Sequence, residues 1–169
     1  IDWHNITRPL MAGDSVRAAP GAGGPSADPL YELSRHTRPG EVIDFFISHS
    51  WHDGGADKYS ALQEWADSEG GDPTIWLDKA CIDQSDITAN LAALPVFLSG
   101  CNDLVVLAGK TYASRLWCVI ELFTFLRVGA DKSRIKILPL VDAEDTDNPT
   151  EEEFQAAEKR VNKWFEEFV

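Results

Sequence analysis

The sequence has no run of 18 apolar residues, which excludes a membrane-spanning helix of ordinary length. It has three cysteines, Cys81, Cys101 and Cys118, an odd number with no CxxC pair. A disulfide framework is therefore not expected, and a reducing compartment fits better. Without a CxxC or an HxxxH, no structural zinc site is expected either. Basic residues are scarce: 15 Lys and Arg stand against 28 Asp and Glu, a net charge of −13. So acidic a chain has no general electrostatic pull toward nucleic acid or anionic lipid. An initiator methionine and a signal pattern are also missing, so the chain reads as a segment of a longer protein.

What remains is ordinary globular composition, 44% apolar and 25% charged, in 169 residues, enough for one domain. The acidity is uneven. Residues 1–41 carry a net of −1, residues 42–141 a net of −5, and residues 142–169 a net of −7. The chain divides accordingly into an N-terminal extension (1–41), a core (42–141), and an acidic loop with a C-terminal helix (142–169). The extension contains the linker-like stretch Ala18 to Ser26, expected to be flexible. Its glycines do not follow a strand and Pro25 comes next, which argues against a dinucleotide loop. Ile6, Leu10, Leu30, Tyr31 and Leu33 are candidates to pack on the core.

The core alternates in period. Val42–Ile47, Thr74–Leu77, Leu104–Leu107 and Ile135–Val141 read as buried strands. Asp57–Asp67, Ile87–Leu98 and Ser114–Arg127 read as helices, the second kinked or split by Pro95. Asp78–Asp86 reads as a loop. Strands alternating with helices predict an α/β fold, a parallel sheet covered on both faces. Thr150 and Glu153 form a capping box before a last helix bearing Phe154, Ala157, Val161, Trp164, Phe165 and Phe168.

Ligands of open parallel sheets bind beyond the carboxyl ends of the strands. The residues there are Ser48, His49, Ser50, Trp51, His52 and Asp53 after the first strand, Asp78, Lys79 and Cys81 after the second, and Gly109, Lys110 and Tyr112 after the third. The helix that follows brings Trp117, Cys118 and Glu121. Glu121 has Trp117, Cys118 and Phe125 as its helical neighbours, so its carboxylate lies on or beside an apolar stripe. It either has a basic partner or lines a pocket. Each histidine alone is as readily a hydrogen-bonded loop residue, Cys118 a packed residue rather than a nucleophile, and Asp78-Lys79 a surface ion pair.

Three of these segments resemble motifs of TIR (Toll/interleukin-1 receptor) domains. Asp44-Phe45-Phe46-Ile47-Ser48-His49-Ser50 is similar to the first-strand Phe-Ile-Ser motif, and Trp76-Leu77-Asp78 to the second strand and the start of the "BB" loop. Tyr112-Ala113-Ser114-Arg115-Leu116-Trp117-Cys118-Val119-Ile120-Glu121-Leu122 is similar to the Ser-x-Trp-Cys-x-x-Glu-Leu helix. Ile137-Leu138-Pro139-Leu140 looks like the strand that follows. The resemblance implies a flavodoxin-like sheet of order 2-1-3-4, with no clear fifth strand.

It implies one of two functions. Some members cleave NAD+ at the nicotinamide–ribose bond, releasing ADP-ribose or a cyclic isomer. Others are non-catalytic adaptors that work by TIR–TIR association. For the enzyme reading Glu121 is the catalytic residue. Ser48, His49, Ser50, Trp51, Asp78, Lys79, Tyr112, Trp117 and Cys118 form the substrate surface. NAD+ is then a substrate, with no separate cofactor and no metal. The expected partner is a second copy of the chain, and the setting is cytoplasmic signalling or defence. Two departures stand out. Several family enzymes carry Tyr-Arg where His49-Ser50 stand here, leaving Lys79 and Lys110 as candidate phosphate contacts. The segment Asp78–Gln84 also lacks the glycine common in the BB loop. A phospho-acceptor domain fits worse, since Asp53 lies too far past the first strand.

Overall fold

The computed structural model describes residues 1–12, 30–82, 87–141 and 150–168, with backbone alone at 87–91, 154, 165, 167 and 168. The linker-like stretch, the end of the expected BB loop, and the acidic loop lie outside the described residues. So do the side chains of Leu91, Phe154, Phe165 and Phe168.

Four strands, β1 (Ile43–His49), β2 (Ile75–Leu77), β3 (Cys101–Ala108) and β4 (Ile135–Pro139), form one all-parallel sheet in the order β2-β1-β3-β4. The helices are α1 (Arg8–Ala12), α2 (Gly55–Glu69), α3 (Asp78–Cys81), α4 (Ile87–Ser99), α5 (Leu116–Arg127) and α6 (Glu151–Phe168). This is the parallel α/β sheet expected from the alternating pattern, in the flavodoxin-like order that the resemblance implies. The strands read as continuous apolar runs because both faces of the sheet are covered. On one face Phe46, Leu104 and Val106 pack with Leu94 and Leu98 of α4, Leu122 and Phe125 of α5, and Val161 of α6. On the other face Ile47, Val105 and Leu107 pack with Leu62 and Trp65 of α2 and with Leu10 and Met11 of α1. Each such side chain, fully buried, contributes about 1.5–3 kcal/mol. Phe46 also stacks on Trp76 across the β1–β2 pair, with ring centroids 4.3 Å apart.

Four local expectations change. β1 runs two residues further than its apolar stretch, because Ser48 and His49 pair with Val106 and Leu107 of β3. Asp78–Cys81, expected as loop, is a short helix. Pro95 does not split α4, which runs unbroken through it with the proline exposed and Leu94 and Leu98 buried. α5 begins two residues late, after a 3-10 turn at Tyr112–Ser114.

The first twelve residues belong to the core. The Ile1 amino group donates to the Ile75 carbonyl at 2.8 Å, Ile75 N–H donates back to the Ile1 carbonyl at 2.8 Å, and Trp3 N–H donates to the Pro73 carbonyl at 3.1 Å. This antiparallel strip covers the outer edge of β2. Ile6 and Leu10 are buried and Leu30 and Leu33 partly so, whereas Tyr31 is exposed. The capping box forms: Glu153 N–H donates to Thr150 Oγ1 at 3.3 Å, and Thr150 N–H donates to Glu153 Oε2 at 2.7 Å. Trp164 of α6 meets Tyr112 edge-on at 5.6 Å. Among the described residues no helix is long and apolar enough to cross a membrane.

Candidate active site

The site grows from the end of β1. Side chains alternate along a strand, so Ser48 faces α5 as Phe46 does. Its hydroxyl donates to Glu121 Oε2 at 2.5 Å and lies 2.8 Å from the Tyr112 hydroxyl. Glu121 is 2% exposed, and no basic side chain pairs with it among the described residues. Of the two alternatives left by the sequence, the basic partner is therefore not found. Burial first, and the negative charge of Asp78 second, push the Glu121 carboxyl well above the ordinary carboxylate range, with Ser48 and Trp117 opposing. Burial likewise pushes the Tyr112 phenol up, reinforced by Glu121 and Cys118.

His49, on the next residue, serves a second carboxylate. Its Nε2 lies 3.0 Å from Asp78 Oδ1, and Trp51 Nε1–H donates to Asp78 Oδ2 at 2.6 Å. The Lys79 backbone N–H adds a bond to Oδ1 at 2.7 Å. Burial alone would raise the Asp78 carboxyl. His49, both as a charge and as a hydrogen-bond partner, together with Trp51 and Lys79, holds it below its ordinary value instead. An ionised Asp78 only accepts, so His49 Nε2 carries a proton and Nδ1 faces away from it. Among the described residues the buried Nδ1 has no hydrogen-bond partner, while the buried Trp117 indole N–H acts on Glu121.

A cavity of about 290 Å³ opens beside these groups, lined by His49, Ser50, Trp51, Asp78, Ile82, Arg115, Trp117 and Cys118. Six of the ten residues expected at the site thus line one cavity. The other four do not. Ser48, Tyr112 and Glu121 form a buried hydrogen-bonded chain outside the cavity lining. Lys79 is not at a surface ion pair: it is buried, with Nζ donating to the carbonyls of Leu10 at 3.2 Å and Met11 at 3.0 Å. It also lies 5.4 Å from the Trp51 ring centroid. Lys110 is exposed and outside the cavity lining, and His52 is exposed. Cys118 donates to the His49 carbonyl at 3.4 Å, and burial raises its thiol far above the thiolate-forming range, so it packs rather than attacks.

Sequence reasoning missed the brace behind the cavity. Asp53 Oδ1 accepts from Thr111 N–H at 3.0 Å and Thr111 Oγ1 at 2.8 Å, and Thr111 Oγ1 lies 2.6 Å from Ser50 Oγ. Lys58, 1% exposed, donates to the Ser50 carbonyl at 2.9 Å. Burial, then the charge of Lys79, lowers its ammonium to about 8 despite Asp53 and Asp78. Gly109 leaves room for this brace: a Cβ there would fall 2.3 Å from the Asp53 carboxylate. Arg115 was missed too, although it lies two residues before Trp117 in the motif already singled out. Its guanidinium makes no hydrogen bond or ion pair among the described residues.

Among the described residues no cluster of three or more His, Cys, Asp or Glu is placed to hold a metal ion. Compared with family models and with curated proteins, the chain matches none.

Proposed function

We propose that this chain is a TIR-type NAD+ hydrolase, which cleaves the nicotinamide–ribose bond when copies of it assemble. The observation that carries the reading is Glu121, a carboxyl without a basic partner among the described residues, at the carboxyl end of a parallel sheet and on the helix that supplies Trp117 and Cys118 to the cavity. Sugar hydrolases ordinarily need one acid for the leaving oxygen and a second carboxylate. NAD+ needs no such acid. Its nicotinamide is a cationic pyridinium, takes the electron pair of the C1′–N bond, and leaves neutral. Water adds to C1′ and loses a proton, giving ADP-ribose. The demand on the protein is a negative charge beside the oxocarbenium-like ribose, the role assigned to Glu121. Trp51 and Trp117 supply ring faces for nicotinamide. The setting that goes with this reading is cytoplasmic, in signalling or defence.

One observation favours the alternative, a non-catalytic module that associates with other TIR domains. Glu121 is 2% exposed and outside the cavity lining, so its carboxylate meets a ribose only after the Ser48 bond opens. Nicotinamide release from NAD+ by the 169-residue chain separates the two, measured for wild type, Glu121→Ala and Glu121→Gln over a wide range of protein concentration. The expected result is turnover that climbs faster than concentration and falls about 10²–10³-fold in both variants. Turnover that survives Glu121→Ala refutes the catalytic role. No turnover at any concentration selects the adaptor.

A further inference from the structure

We propose that Arg115 and the N-terminus of α5 form an anion subsite at the mouth of the cavity, which holds the phosphates of a nucleotide substrate. The inference deepens the hydrolase reading and takes from it the identity of that nucleotide.

The first support is charge. Among the described residues of the cavity wall, Arg115 is the Lys or Arg side chain. The neighbouring cations are committed elsewhere: Lys58 to the Ser50 carbonyl, Lys79 to the carbonyls of Leu10 and Met11. Among the described residues the carboxylate of the wall is Asp78, which His49, Trp51 and the Lys79 backbone engage and which makes no ion pair with Arg115.

The second support is the helix end. Arg115 is the N-cap of the twelve-residue α5, which has no side-chain cap and no acid in its first turn. Its leading N–H groups therefore point positive charge toward the same mouth. A helix end alone would mean little. Here it opens on a cavity lined by His49, 3% exposed, whose Nδ1 has no hydrogen-bond partner among the described residues. A buried polar atom without a partner is uncommon, and one on a residue of the cavity wall points to a polar occupant.

The third support is size. About 290 Å³ suits a nicotinamide and part of its ribose and is too little for a dinucleotide. The rest must pass the rim, where Arg115 and the half-exposed Trp51 stand. Arg115 and Glu121 are six residues apart on one helix, about 9 Å along its axis, a span that a ribose 5′-phosphate and two side chains bridge. The sequence lacks the arginine that several family enzymes carry after the first strand. In this chain Arg115 takes over that charge from a different element.

Calorimetric titration of the 169-residue chain with ADP-ribose and with nicotinamide riboside, which has no phosphate, tests this in wild type, Arg115→Ala and Arg115→Lys. Arg115 is exposed, so the variants should keep the wild-type melting temperature, to be checked on each sample. Arg115→Ala should weaken ADP-ribose about tenfold or more, with Arg115→Lys between, since lysine keeps the charge but loses the fork. Nicotinamide riboside should change less than about twofold. Added salt should weaken ADP-ribose binding more in wild type than in Arg115→Ala. Equal ADP-ribose affinity in wild type and Arg115→Ala overturns the subsite, as does no binding to wild type or an equal loss for nicotinamide riboside. Arg115-dependent ADP-ribose binding without NAD+ turnover keeps the subsite and removes the hydrolase reading. Glu121-dependent turnover with an unchanged KM in Arg115→Ala does the reverse.

Discussion

Replacing Lys58 by methionine removes one buried charge and leaves the side-chain length nearly unchanged. The ammonium is 1% exposed and its acidity rises until it titrates at about 8, against 10.5 ordinarily. Each tenfold change in proton affinity is about 1.4 kcal/mol, so the charged form costs the fold at most about 3 kcal/mol. The sign follows from the two states. Below pH 8 the amine is charged in both the folded and unfolded chain, and the penalty is present in full. Between about 8 and 10.5 the folded chain sheds the proton while the unfolded chain keeps it, and stability rises with pH. Cysteine and tyrosine titrations act in the opposite direction over the same window but are common to both proteins. The stability of wild type minus that of Lys58→Met should therefore climb by about 2 kcal/mol from pH 7 to pH 10. Urea unfolding curves at four or five pH values, with the slope m held common, measure it. A difference that stays flat to within about 0.5 kcal/mol refutes the reasoning. It would mean that water reaches Lys58 and that the Ser50 carbonyl is not held by a desolvated cation.

Two further outcomes follow from the same core. The raised Glu121 carboxyl contributes stability that is present below its ordinary value of 4.5 and lost as pH rises through its folded value, so Glu121→Gln should gain on wild type between pH 4.5 and pH 8 in urea midpoints. A pH-independent difference would contradict the burial. Thr111→Val removes the hydroxyl that joins Asp53 to Ser50 and should cost about 1–3 kcal/mol. A thermal melt unchanged from wild type would show that the two loops are held by something else.

Much of this was legible in the sequence because period and punctuation report burial directly. Continuous apolar strands, helical spacing in between, and the Thr150–Glu153 box each state a local physical requirement. The position of Glu121 beside Trp117 and Cys118 was readable in the same way. The brace was not. Asp53, Lys58, Thr111 and Gly109 belong to two loops and a helix, joined only when β1 and β3 lie side by side, and no spacing rule encodes that meeting. Lys79 misled for a related reason. Beside Asp78 it looks like half of an ion pair, yet its ammonium lies over the Trp51 ring and ends on the N-terminal helix. Arg115 carries no burial signal at all, since its value lies in having no partner.

The grip of the first twelve residues on Lys79 makes them a lock on the cavity's electrostatics. Two backbone carbonyls, of Leu10 and Met11, hold that ammonium away from a wall to which its own backbone N–H is fastened through Asp78. Peel the segment from α2 and β2, and the Lys79 ammonium loses both of these carbonyls. A pull on the start of this chain therefore acts first on the Lys79 ammonium, which lies 5.4 Å from a ring of the cavity wall.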